Sequence, residues 1–151
     1  MIIWKGGNIL LDDAQVLVSP VNCVGVSGAG LAKRIAHAYP DAEASYVDLC
    51  RKGWLQLGET ALFPASRIAG TVPEYILYFP TKQHWRDKSS LDSIARGIQH
   101  ILENAPAAGL RSVAIPKLGC GLGGLCWEDV RPLFMAFKDT ACVYHVYGEE
   151  E

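Results

Sequence analysis

The chain has 151 residues, 50% hydrophobic and 20% charged, enough for one compact domain with a full core. Its formal charge is −2, from 14 Lys and Arg against 16 Asp and Glu, so bulk electrostatics do not favour non-specific binding to phosphate polymers and any nucleic-acid contact must be local. Cys23, Cys50, Cys120, Cys126 and Cys142 are odd in number, widely spaced and lack a Cys-x-x-Cys pair, which argues against a disulfide framework or a zinc site and for a reducing cytoplasm. Neither a long apolar run nor a basic-then-apolar N-terminus occurs, so no membrane span or signal peptide is expected.

In chain order, β-rich runs cover Ile2–Trp4, Gln15–Ser19, Thr60–Phe63, Tyr75–Phe79, Ser112–Pro116 and Ala141–Tyr147. Helical patterns cover Gly30–Tyr39, Ala42–Lys52, Leu91–Ala105 and Trp127–Thr140. The alternation predicts an α/β domain with a largely parallel sheet. The third helix is the best defined: Leu91, Ile94, Ala95, Ile98, Ile101 and Leu102 recur at three- and four-residue steps, and Ser89 with Asp92 resembles a capping box. Pro40 and Pro106 end the helices before them. No repeat or linker divides the chain, and Glu149-Glu150-Glu151 is expected to be a frayed tail or the start of a linker.

Open α/β sheets bind ligands beyond the carboxyl ends of their strands. Four segments fall there: Gly6–Ile9, Asn22–Gly30, Pro80–Lys88 and Gly119–Leu125. Glycines at 119, 121, 123 and 124 let backbone N–H groups approach an anion without Cβ obstruction, and a helix starting near Trp127 would add its positive end. The pattern points to a ligand containing a pyrophosphate. Gly119-x-Gly121-x-x-Gly124 matches the dinucleotide fingerprint, but that motif opens the first βαβ unit and needs an acidic residue about 20 positions on; Tyr144 stands there, which argues against a Rossmann NAD site. A structural glycine turn remains the alternative, as does a tight connection into a helix for Gly25–Gly30.

Lys82, His84, Arg86 and Lys88 alternate along a polar stretch whose ordinary reading is a solvated edge. Phe79 and Trp85 interleave apolar bodies with them, as a site that excludes water or stacks a base requires. A lysine amine in such a setting can act as nucleophile or base. His37, His100 and His145 fall on helix or strand faces and read as structural, and no histidine–carboxylate spacing suggests a metal.

Gly7-Asn8-Ile9-Leu10, Val21-Asn22-Cys23-Val24-Gly25-Val26, Phe79-Pro80-Thr81-Lys82-Gln83-His84-Trp85-Arg86 and Leu118-Gly119-Cys120-Gly121-Leu122-Gly123-Gly124-Leu125 together resemble a macrodomain, over about residues 1 to 147. The subgroup most resembled is the DarG-type DNA ADP-ribosyl glycohydrolase, antitoxin partner of the thymidine ADP-ribosyltransferase DarT. The resemblance implies one macrodomain over residues 1–151: a three-layer α/β/α sandwich around a mixed, largely parallel sheet of six or more strands. It implies ADP-ribose binding by Asn8 and Ile9, by Asn22, Val26, Ser27, Gly28, Gly30 and Leu31, by Thr81, and by Gly119, Cys120, Gly121, Leu122, Gly123, Gly124 and Leu125. Lys82 maps onto a catalytic lysine, with His84 the candidate to relay a proton. Trp85 and Arg86 would meet a nucleic-acid strand by stacking and at a phosphate.

Asn8 stands where many macrodomains carry an aspartate that accepts from the adenine amino group, so weaker adenine selectivity is expected. Gly123 stands where the related terminal ADP-ribose glycohydrolases carry an aspartate, which moves the reading away from protein-glutamate substrates. Ser27-Gly28-Ala29 replaces the subgroup's usual Met-Gly-Lys. The subgroup's long C-terminal toxin-binding region is not in this chain, so a catalytic fragment or a free-standing relative is expected.

The implied activity is removal of ADP-ribose from modified thymidine in single-stranded DNA, by a monomer that needs no cofactor or metal and associates with no membrane. Its expected partners are ADP-ribose, ADP-ribosylated single-stranded DNA and a DarT-like toxin. Two alternatives are a hydrolase of protein-linked ADP-ribose or of ADP-ribose 1″-phosphate, and a module that binds ADP-ribose without turnover.

Overall fold

The computed structural model describes residues 1–66, 68, 70–137 and 141–148. Strands β1 (Ile2–Lys5), β2 (Val16–Asn22), β3 (Ala61–Pro64), β4 (Tyr75–Lys82), β5 (Ser112–Ile115) and β6 (Val143–Tyr147) form one sheet in the order β1-β6-β5-β2-β4-β3. Only β3 runs antiparallel to its neighbour, so the sheet is mixed and largely parallel.

Strand alternation assigns the two faces. Val16, Val18, Leu77, Phe79, Val113, Ile115, Tyr144 and Val146 meet Ile94, Ile98 and Ile101 of α3 (Leu91–Asn104), together with Val130, Phe134 and Phe137. On the other face Leu17, Val21, Ile76, Tyr78 and Ala114 meet Ile35 of α1 (Gly30–Ala38) and Ala42, Tyr46 and Cys50 of α2 (Pro40–Arg51). Helices on both faces make the expected three-layer sandwich. Tyr46 stacks on Tyr78 with ring centroids 4.7 Å apart and 3° between planes, which pins α2 to β4.

Several boundaries differ from the sequence reading. β2 and β4 continue past the expected strand ends at Ser19 and Phe79, through Pro20-Val21-Asn22 and Pro80-Thr81-Lys82, so that Asn22 and Pro80–Lys82, expected in loops, lie in strands. The prolines are tolerated because β5 pairs with β2 only at Val16 and Leu17, and β3 pairs with β4 only as far as Tyr78; beyond those points one side of each strand is open. The helix from Trp127 is one turn, α4 (Trp127–Val130), followed by a 3₁₀ segment over Arg131–Ala136. Pro132 lacks the N–H that an α-ladder requires there. The remainder of that expected helix beyond Phe137, and Glu149-Glu150-Glu151, lie outside the described residues. The cap of α3 is Ser90, which accepts from the Ser93 N–H at 3.1 Å; Ser89 is instead buried. α2 starts two residues early because Pro40 supplies a preset φ at its first position.

Candidate functional site

Past Leu17 the strands β2 and β5 diverge, and the sequence-adjacent strands lie to either side of this point. The crevice that opens there is where an open α/β sheet takes its ligand. It is a cleft of about 780 Å³ walled by the β2–α1 loop, the end of β4 and the glycine loop after β5. Among the described residues lining it are two lysines, Lys82 and Lys117, and no carboxylate. The cleft suits an anion.

Two arrays of backbone donors face this space. α1 begins at Gly30 behind Ala29, which offers no capping side chain, and its first turn contains no acidic residue. The N–H groups from Ser27 to Ala32 therefore have no acceptor among the described residues, and the helix adds its positive end. The glycine loop ties itself with bonds from Cys120 to Lys117, Gly124 to Gly121 and Leu125 to Gly119. Those leave the N–H groups of Gly121, Leu122 and Gly123 without acceptors among the described residues. The positive helix end expected near Trp127 is supplied instead by α1, since α4 is one turn long and carries Glu128 and Asp129 at its start.

Asn22 shapes the first loop. Its Oδ1 accepts from the N–H groups of Val24 (3.1 Å), Gly25 (3.1 Å) and Val26 (3.3 Å), and the single Tyr46 hydroxyl proton is shared between the Asn22 carbonyl (2.7 Å) and Oδ1 (3.1 Å). Its Nδ2 donates to the Val26 carbonyl at 2.8 Å, and the side chain is buried. The second amide hydrogen has no acceptor among the described residues. Ser27 donates its hydroxyl to Glu43, 2.8 Å from Oε2 and 3.2 Å from Oε1. Burial pushes the Glu43 carboxyl above the usual range, and the Ser27 hydrogen bond opposes this.

The structure brings together most of the residues singled out from sequence. Asn22, Val26, Ser27, Gly28, Gly30, Leu31, Thr81, Lys82, Trp85 and Gly119 to Gly123 all line the cleft. The Lys82 side chain makes no ion pair or hydrogen bond among the described residues, while its main chain pairs with Asn22 of β2. Trp85 is 47% exposed, and Arg86 lies over its ring at 4.6 Å from the centroid.

Others are not at the cleft wall. Ile9 is buried in the α1/α2-side core, because the 3₁₀ turn over Ile9–Leu11 points it inward. Asn8 caps that turn, accepting from the Leu10 N–H at 3.0 Å and the Arg34 guanidinium at 3.4 Å. Gly124 and Leu125 serve the loop's closure, Leu125 packing beneath it against the core. His84 sits in a turn where its Nδ1 accepts from the Arg86 N–H at 3.2 Å, and it does not line the cleft.

Lys117 was missed, although it stands between β5 and the glycine loop; its ammonium lies 5.8 Å from the centroid of the Trp127 ring. Cys120 lines the cleft, but burial pushes its thiol above the usual range despite Lys117, so it is a poor thiolate nucleophile. None of the five cysteines is in a disulfide among the described residues.

Away from the cleft, ligand atoms of Asp12, Asp13 and His145 lie within 4.8 Å of one another, a grouping their spacing did not reveal. The Asp12 oxygens are already engaged by His145 Nδ1 (2.8 Å), Tyr147 (2.5 Å) and the Lys5 ammonium (3.1 Å), which makes this a hydrogen-bonded knot joining β1 and β6. Among the described residues no helix is long and apolar enough to cross a membrane.

The macro domain family model matches residues 18–134. The chain is 38% identical over 139 residues to the DNA ADP-ribosyl glycohydrolase of Mycobacterium tuberculosis, a match that covers 91% of this chain and 39% of that relative. It thus spans about two fifths of the relative's length. Among solved structures, the macrodomain of Thermus aquaticus DarG superposes with a TM-score of 0.90 at 34% identity, covering 99% of both chains. Thermosipho africanus DarTG in complex with ADP-ribose superposes with a TM-score of 0.85 at 33% identity, covering 99% of this chain and 42% of that one. With the family model matched over residues 18–134 and this likeness over nearly its whole length, the chain belongs to the macrodomain family.

Proposed function

We propose that this macrodomain, spanning residues 1–151, removes ADP-ribose from modified thymidine in single-stranded DNA and works as a monomer in the cytoplasm beside a DarT-like toxin. The observation that carries the reading is the cleft itself: two sets of N–H groups with no acceptor among the described residues flank the Lys82 side chain, which has no partner among them, and no carboxylate is among the described lining residues. The start of α1 and the Gly121–Gly123 N–H groups hold the pyrophosphate. The distal ribose lies towards Asn22 and Lys82. Trp85 stacks on a neighbouring base and Arg86 meets a phosphate.

Cleavage at C1″ of that ribose develops oxocarbenium-like charge as the thymine nitrogen leaves. The unprotonated Lys82 amine attacks C1″ while the bond to thymine breaks, the base takes up a proton, and water releases ADP-ribose and the free amine. His84 has its Nδ1 occupied by the Arg86 N–H, so a proton relay through it would use Nε2.

Incubation with a single-stranded oligonucleotide carrying ADP-ribosyl thymidine, beside an ADP-ribosylated protein, tests the proposal. Release of ADP-ribose from the oligonucleotide is expected. Release from the protein alone would make this a protein de-modifying enzyme, and ADP-ribose binding with no release from either substrate would make it a reader.

A further inference from the structure

We propose that a single nucleic-acid strand leaving the cleft runs over Trp54, which stacks on one of its bases, with Arg51 beside it at a phosphate. The inference rests on the modified-DNA reading above and extends it from Trp85 to a second surface station on another element.

The chain has four tryptophans. Trp4 and Trp127 pack edge to face on each other and against the core. Trp54 and Trp85 do not: they are 65% and 47% exposed, and each carries a cation over its ring, Lys52 at 4.9 Å and Arg86 at 4.6 Å from the centroid. One exposed aromatic side chain is ordinary on a protein surface. Two with the same aromatic–cation pairing, at the same end of one sheet, make a surface suited to bases and phosphates.

Trp54 reaches that end because α1 runs back from the cleft and α2 returns to it. Cys50, in the last turn of α2, has its Sγ 4.0 Å from the Asn22 carbonyl oxygen. The next residue along β2, Cys23, donates its N–H to the Gln83 carbonyl at 3.0 Å, two residues before Trp85. Past Trp54 the chain continues into β3, on the side of β2 away from β5 and its glycine loop. Trp54 and Trp85 therefore flank the junction of Asn22, Cys23 and Gln83 on the side away from the proposed pyrophosphate.

The ring is held on a fixed backbone. Gly53 takes a φ of +69° and donates its N–H to the Cys50 carbonyl at 3.0 Å, while the Trp54 N–H donates to the Leu49 carbonyl at 3.1 Å, which closes α2 in a Schellman turn. Leu55, 2% exposed, anchors the following residue in the core. Stacking on a ring placed in this way costs little ordering entropy. Arg51 and Lys52 also answer the negative end of α2, and Lys52 pairs with Asp48 at 2.9 Å, but neither role accounts for the exposed ring. Residues 51–60 hold Arg51 and Lys52 against Glu59, and residues 83–88 hold Arg86 and Lys88 against Asp87. Both segments are locally positive in a chain of net charge −2, as a local contact with a polyanion requires.

The test measures release of ADP-ribose from ADP-ribosyl thymidine as the free nucleoside and from a single-stranded oligonucleotide with that base at its centre. Wild-type protein is compared with Trp54→Ala, Trp54→Phe and Arg51→Ala. Trp54→Ala should raise KM for the oligonucleotide about tenfold, with kcat and the nucleoside KM within about twofold of wild type. Trp54→Phe should recover most of the loss, because a smaller ring still stacks. Arg51→Ala should make the oligonucleotide KM less steeply dependent on salt. A wild-type oligonucleotide KM in Trp54→Ala would overturn the track and point to a protein partner for the ring. An equal rise for the nucleoside, or one shared KM for both substrates in the wild-type protein, would overturn it too. Release from neither substrate by the wild-type protein would bring down the modified-DNA reading and the track together, whereas cleavage of both with unaffected variants would bring down the track alone.

Discussion

Asn22 of β2 and Lys82 of β4 are register partners immediately after a slip in the ladder: Val21 pairs with Pro80, Asn22 pairs with Lys82, and Thr81 is left over. The extra residue breaks the strict alternation of strand side chains, and Thr81 and Lys82 both line the cleft. The bulge thus delivers the lysine beside the asparagine that shapes the opposing loop.

Lys82→Ala should abolish release of ADP-ribose from modified thymidine while leaving free ADP-ribose affinity within about tenfold, because the donor arrays lie on other loops. Lys82→Arg should fail too, since guanidinium stays protonated and cannot attack. Wild-type turnover in either folded variant would remove Lys82 from the mechanism.

The glycine loop permits two opposite outcomes at neighbouring positions. A Cβ at Gly121 would meet nothing within 4 Å, so Gly121→Glu should fold normally yet weaken ADP-ribose binding by at least ~1.4 kcal/mol, a tenfold effect, by setting an anion beside the phosphates. A Cβ at Gly123 would lie 2.3 Å from Ser89 Oγ and 2.6 Å from the Gly119 carbonyl oxygen. The backbone cannot retreat as a flexible side chain would, so Gly123→Ala should rearrange the loop and cost about 1–3 kcal/mol of stability. Calorimetry with ADP-ribose and urea unfolding separate the two.

Gly97 in α3 sits on the buried Phe79 ring: an added Cβ would come within 2.3 Å of it. Alanine favours a helix over glycine by about 1 kcal/mol, but overpacking a rigid core costs about 1–3 kcal/mol. Sterics should win. Urea unfolding of Gly97→Ala should show a net loss, and a gain would mean that α3 can lift from the sheet.

Asp12 has a side chain only 2% exposed. Burial raises its pKa, but hydrogen bonds from Tyr147, His145, Lys5 and the Ala14 N–H together outweigh this and hold it below the ordinary 3.8. A depressed carboxyl contributes stability that is fully present above the unfolded-state pKa and is lost as pH falls through the folded one. Asp12→Ala should therefore cost about 2–4 kcal/mol near pH 7, and its deficit against wild type should shrink below about pH 3.8. A deficit independent of pH, measured by denaturant titrations, would contradict this account of the knot.

With a net charge of −2, unmodified single-stranded DNA should bind weakly, and the ADP-ribose group should supply most of the affinity. Trp85→Ala should raise KM for the modified oligonucleotide through loss of base stacking, worth about 1–3 kcal/mol. Tight, steeply salt-dependent binding of unmodified strands would show a basic surface that these charges do not predict.

The sequence by itself determined the α/β alternation, the faces of α3 and the two glycine-bearing segments, because hydrophobic periodicity and glycine placement are local properties. It also carried the family likeness through Lys82 and the Gly119–Leu125 loop. Tertiary structure alone decided where β2 and β4 end: the runs read to Ser19 and Phe79 continue through Pro20 and Pro80, and only the divergence of β5 and the shortness of β3 make their missing N–H groups harmless. It also turned Ile9 inward, engaged Asn8 and His84 in local turns and brought Lys117 to the cleft wall. Glu43 lies 16 residues from Ser27 and Tyr46 lies 24 from Asn22, contacts between separate elements that no single-segment pattern encodes. The donors and acceptors that this cleft presents are set by those long-range pairings.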